Sequence, residues 1–125
     1  RGARLPRQED LPRARGHAIE VRLYAEDAEH DYLPQTGTLQ RFEIPQYAGL
    51  RVDTGVETGS VVGVNYDPML AKVIAWASSR EEAAAKLARA LERARIHGVR
   101  TNRRLLCSLL RHPELLAGRT DTGFL

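Results

Sequence analysis

The chain has 125 residues, 42% of them hydrophobic and 28% charged, with a formal net charge of +3. That length and balance suit one globular domain with a real core and exclude a disordered or fibrous chain. A single cysteine, Cys107, excludes an internal disulfide and fits a reducing, cytoplasmic setting, and the longest apolar run, residues 69–77, is interrupted by Lys72 and too short to span a bilayer.

Residues 1–15 are rich in Arg and Pro, lack any period and read as a connector arm. From residue 16 to 25 the pattern alternates. Ile19, Val21, Leu23 and Ala25 face one way, and Ala18, Glu20, Arg22 and Tyr24 the other, as in a strand with one apolar face. The polar stretch "EDAEHDYLPQTG" reads as a long loop. Residues 38–44 read as a strand, but Leu39, Phe42 and Ile44 share no single face, so a bulge is expected. Further strands are expected over residues 50–56, 60–66 and 69–77, the last two separated by Asp67-Pro68. Short strands with frequent turns describe a small antiparallel sheet or barrel-like sandwich.

At Ser78 the period lengthens. Ala84, Leu87, Leu91 and Ala94 form a helical stripe, which predicts a helix over residues 79–97. Ser79 and Glu82 have the spacing of a capping box, Glu82 and Lys86 that of an i,i+4 ion pair, and Gly98 is the expected stop. A second helix is expected from Thr101 or Asn102 to His112-Pro113, burying Leu105, Leu106, Leu109 and Leu110. A turn, "PELLAG", leads to the tail. Strands followed by helices make the class α+β.

Few residues carry chemistry by pattern alone. No two of the four histidines stand four apart on one helix, and Cys107 lacks a CxxC partner, so no metal site is expected. The glycines of "TGVETG" precede a strand rather than a helix and cannot cradle a phosphate. Lys72, in "PMLAK", lies within an apolar strand rather than at a hairpin tip, which argues against a biotin-acceptor lysine. Acidic residues are interspersed with the basic ones and aromatics make up only 6%, so no nucleic-acid partner is expected. Two features stay open. Glu20 and Arg22 are either the solvated side of a strand or a carboxylate fixing a guanidinium for an oxyanion. Asp67 is either a turn-former or a carboxylate turned into a site.

The stretches "RGHAIEVRLYAED", "DYLPQTGTLQRF", "NYDPMLAKVIAW", "RIHGVRTN" and "TDTGFL", in that order and spacing, resemble the C-terminal domain of biotin carboxylase, the ATP-grasp component of biotin-dependent carboxylases. The likeness runs from about residue 5 to 125, and "LPQTG" with "TDTGFL" looks more like the α subunits of acyl-CoA carboxylases. The resemblance implies a division into a connector at 1–15, following an upstream ATP-grasp region, and a domain at 16–125. It also implies carboxylation of biotin with bicarbonate and MgATP by the complete enzyme, and no activity from this part alone. Its partners would be the upstream ATP-grasp domains, a biotin carboxyl carrier, a carboxyltransferase and a second biotin carboxylase copy.

Carried over residue by residue, Arg22 matches an active-site arginine and Asp67 an aspartate beside the same cleft. Arg51 matches an arginine near the subunit interface, although Ala48 stands where a bulky aromatic is expected. Thr122 matches a position near the adenine pocket. Glu20 as the orienter of Arg22 is an inference from their spacing. Two other readings stand beside this one: the C-terminal domain of another ATP-grasp ligase, and a stand-alone binding module. The chain begins on Arg1 rather than Met, which fits a piece of something larger.

Overall fold

The computed structural model describes residues 2–65 and 67–125. A single 3-10 turn, Gln8–Asp10, interrupts an exposed N-terminal arm. The arm joins the body where the Trp76 indole N–H donates to the carbonyl of Arg15 at 3.2 Å. Gly16, at φ +72°, lets this contact form, because a Cβ there would lie 2.6 Å from the Trp76 ring.

Strand β1 (His17–Tyr24) follows, with the alternation that its sequence dictates. Two-residue strands β2 (Glu26–Asp27) and β3 (Leu33–Pro34) pair with each other, so the expected plain loop is a small hairpin. The expected strand at 38–44 is in fact two: β4 (Gly37–Thr38) and β5 (Arg41–Glu43). They part because Leu39, fully buried, turns into the core between them. Next come β6 (Leu50–Thr54), β7 (Val61–Val62) and β8 (Met69–Ala77). Of the expected strand at 60–66, Tyr66 lies outside the described residues.

The main sheet is antiparallel in the order β1-β8-β6. Its register stacks Val21, Val73 and Val52 in one row, and Ile19, Ala75 and Leu50 in another, on a single apolar face. Helix α1 (Arg80–Arg93) covers that face. Ala84, Leu87 and Leu91 are fully buried against Val21, Val73 and Ala75, as the stripe predicts. The capping box forms in part: the Ser79 hydroxyl accepts from the Glu82 amide at 3.2 Å. Lys86 does not follow the ion-pair expectation. Its ammonium donates to the carbonyls of Trp76 at 2.9 Å and Ala48 at 3.0 Å, tying the helix to the sheet.

The helix ends four residues earlier than predicted. Ala94 is extended at ψ 141°, and Arg95–His97 form β9, paired with β5. The pairing and the burial of Ile96 in a second core with Leu23, Leu39 and Leu70 outweigh the good helix propensity of this stretch. The Arg103 guanidinium takes the Ala94 carbonyl that the helix leaves open. Gly98 is therefore no helix cap. It sits at φ +115° with its α-carbon against the Thr38 backbone, where any side chain would collide with the Thr38 carbonyl.

Helix α2 (Arg103–Leu110) starts one residue after its Asn102 N-cap, and the "PELLAG" turn is a one-turn helix, α3 (Pro113–Leu116). Of the four leucines expected to be buried on α2, Leu110 is fully so and the others partly. The α+β class stands, with strands β4 and β7 forming a further two-stranded pair. Among the described residues, no helix is long and apolar enough to cross a membrane.

Candidate functional site

The face of the main sheet turned away from α1 is polar. Because paired residues in an antiparallel ladder point the same way, Glu20, Ile74 and Arg51 form one row on it, and Arg22, Lys72 and Asp53 the next. Adjacent strands lie about 4.8 Å apart, so Arg51 is roughly 10 Å across the sheet from Glu20. The apolar neighbours Val21 and Leu23 anchor β1 from beneath and leave Arg22 without a packing role. Its side chain is 62% exposed, with Nε 3.5 Å from Glu20 Oε1. Tyr24 and then Glu20 favour the charged guanidinium and hold it above its ordinary value. A permanently charged planar fork facing solvent can donate to an oxygen that gains negative charge.

Asp67 stands at the same end of the sheet. Its Oδ1 accepts from the Met69 amide at 2.9 Å, and Met69 pairs with Tyr24, two residues beyond Arg22. The carboxylate thus closes the turn into β8, while the residue itself remains exposed. Arg51 shares the Arg22 face but is bound to its own neighbour, with Nε 3.0 Å from Asp53 Oδ1. Thr122 is elsewhere. The tail carrying it is anchored by Phe124, whose ring meets that of His112 edge-on at 5.0 Å, at the corner of α2 and α3. The fold therefore brings Glu20, Arg22 and Arg51 to one sheet face, with Asp67 in the turn at its end, and leaves Thr122 with the helices.

Sequence reasoning assigns no site role to Lys72, Asp53 or Asn102. Lys72 is half-buried and lies directly opposite Arg22, with Asp53 on its other side. Two cations face each other there, an arrangement that a sheet tolerates poorly without an anion nearby. The alternation of Lys72, Ile74 and Trp76 was the available signal, obscured by their apolar neighbours. Asn102 gave none, because its partners lie far away along the chain.

The geometry also bears on which groups these residues can receive. The exposed Arg22 guanidinium can donate to an oxygen acceptor. By contrast, no group of three or more His, Cys, Asp or Glu among the described residues could hold a metal ion.

The family model of the biotin carboxylase C-terminal domain covers residues 20–125. The chain belongs to that family. It is 42% identical over 122 residues to the mitochondrial methylcrotonoyl-CoA carboxylase subunit alpha of Dictyostelium discoideum, covering 97% of this chain and 18% of that protein. It is 41% identical over 124 residues to the biotin carboxylase of Halalkalibacterium halodurans, covering 98% of this chain and 27% of that protein. Among solved structures, the biotin carboxylase domain dimer of Hydrogenobacter thermophilus 2-oxoglutarate carboxylase superposes with a TM-score of 0.92 at 35% identity. That structure is in complex with MgADP, ADP and bicarbonate, and the superposition covers 99% of this chain and 27% of that one. The chain thus spans only 18% to 27% of the length of these relatives.

Proposed function

We propose that the chain works as the C-terminal part of a complete biotin carboxylase, within a biotin-dependent acyl-CoA carboxylase, and supplies one catalytic arginine. The observation that carries this reading is Arg22: a charged guanidinium held outward by a strand whose other face is core. Biotin on its carrier, when bound, supplies the ureido nitrogen that takes up the carboxyl group. Arg22 donates to the ureido oxygen and stabilises the negative charge that develops there as the nitrogen loses its proton. Glu20 limits the swing of that guanidinium, and Asp67 fixes the turn at the same end of the sheet.

The remaining assignments follow the family. MgATP and bicarbonate would be held by an ATP-grasp region preceding residue 1, with residues 1–15 as the connector and 16–125 as the domain. Thr122 would approach the adenine pocket, and Arg51 a second copy across a subunit interface. A biotin carboxyl carrier and a carboxyltransferase complete the set of partners. The proposed compartment is the cytoplasm; cell fractionation that found the protein in an organelle would overturn it.

The test is to purify this chain with and without the ATP-grasp part and follow transfer of labelled bicarbonate to free biotin. Label should appear only with both parts present and with ATP. Bicarbonate-dependent ATP hydrolysis by this chain alone would contradict the division of labour.

A further inference from the structure

Among the described residues, strand β1 is an edge of its sheet, with β8 on one side only. Three of its outer backbone groups at Arg22 and Tyr24 are nevertheless hydrogen-bonded, all of them by one residue. The Asn102 side-chain amide donates to the Arg22 carbonyl at 3.1 Å and accepts from the Tyr24 amide at 2.8 Å. The Asn102 backbone N–H donates to the Tyr24 carbonyl at 3.1 Å. Asn102 therefore stands in for a missing strand over these two residues, and it is itself buried, at 5% exposure.

This is an unusual use of an N-cap. An Asn in that position ordinarily turns its side-chain oxygen to the helix's own amides. Here α2 receives no side-chain cap bond from Asn102, and the neighbouring Thr101 hydroxyl takes the Arg103 amide instead at 3.3 Å. The location is also telling. The β1–β8 register shifts between Leu23 and Tyr24, one residue beyond Arg22. Pairing is weakest at such a bulge, and a slip of one residue would turn Arg22 from the open face to the core face. Asn102 grips the chain on both sides of that shift.

We infer that Asn102 is a positioning residue for Arg22: it locks the local register of β1 and so keeps the guanidinium on the face where biotin is carboxylated. This rests on the proposed role of Arg22. The short hydroxyl of Asn102→Ser cannot bridge both β1 groups. In the complete enzyme, Asn102→Ser should raise hydrogen exchange across residues 20–25 at least about tenfold, while distant segments such as 83–91 stay unchanged. It should lower kcat/KM for biotin by roughly ten- to a hundredfold, with the KM for ATP within about twofold. In an Arg22→Ala background, the same substitution should cost no further activity.

Unchanged exchange at residues 20–25 would overturn the inference, as would an equal loss in the Arg22→Ala background, which would mark a purely structural role. If Arg22→Ala alone retains full activity while exchange rises as expected, the clamp is real and the role given to Arg22 is wrong. Should Asn102→Ser fail to fold, Asn102→Asp carries the same comparison, keeping the acceptor for Tyr24 and losing the donor to Arg22. If neither variant folds, Asn102 maintains the fold and the positioning role is refuted.

Discussion

Gly98→Ala should be among the most damaging conservative changes in this chain. A residue with a side chain at φ +115° costs about 1–3 kcal/mol, because that backbone region is nearly reserved for glycine. The added Cβ would also meet the Thr38 carbonyl, which is backbone and cannot rotate aside. Relief requires the Thr38–Gln40 segment to withdraw. That would break the bond from the Gln40 amide to the His97 carbonyl, 2.8 Å in the native fold and worth about 1 kcal/mol. It would also loosen Leu39, which is fully buried. The total is about 3–5 kcal/mol. For a domain of this size that lowers the melting temperature by roughly 10–20 °C. Gly55→Ala is the internal control, since no atom lies within 4 Å of its Cβ position and its φ is not in the positive range. It should leave stability unchanged or raise it by up to about 1 kcal/mol. Urea and thermal unfolding of both variants decide the matter. A Gly98→Ala protein within about 1 kcal/mol of wild type, or two variants equally damaged, would refute the close approach of β9 to the Thr38 backbone.

Leu91→Asp should destabilise the domain by about 4 kcal/mol or more, because Leu91 has no exposed surface and an unpaired carboxylate would be forced into the core; an unchanged melting temperature would show that the α1 stripe is not buried. Asp27 should give the domain an acid-sensitive component. Burial pushes its carboxyl up, but bonds from His30 at 2.8 Å, the Glu29 amide at 3.0 Å and Arg100 at 2.9 Å outweigh burial and hold it below the usual range. A depressed folded value means that the contribution is present above the unfolded carboxylate value of about 3.9 and is lost as pH falls through the folded one. Asp27→Asn should therefore lower the melting temperature at pH 7 and narrow its gap to wild type at pH 3. Parallel melting curves across that range would contradict the assignment.

How much of this was legible in the sequence depended on the length of each element. Strands β1 and β8 span eight and nine residues, enough for alternation to declare itself, and the α1 stripe declares itself over fourteen. The two-residue pairs β2-β3 and β4-β7 have no period to read; a local hairpin creates the first, and a contact between segments well apart in the chain creates the second. Gly98 was legible as a necessary glycine but not for its reason: a helix stop and a close backbone approach demand the same residue. The Glu20–Arg22 pair was visible because two outward charges two apart interrupt an apolar strand. Lys72 was hidden because register, not sequence, sets it opposite Arg22. Asn102 was hidden more deeply, since its partners lie 78 and 80 residues away and its own surroundings read as an ordinary helix start.

The most direct measurement is biotin carboxylation by the complete enzyme with Arg22→Ala. The account predicts a fall of roughly a hundredfold or more, the scale expected when one oxyanion donor is removed. The KM for ATP should barely change, and Arg22→Lys should recover only part of the rate because a point charge cannot reproduce the planar fork. The domain itself should melt within about 2 °C of wild type, because the exposed Arg22 side chain leaves no cavity when shortened. Normal carboxylation by a folded Arg22→Ala enzyme would contradict the central claim and return Arg22 to the role of a solvated residue on a strand.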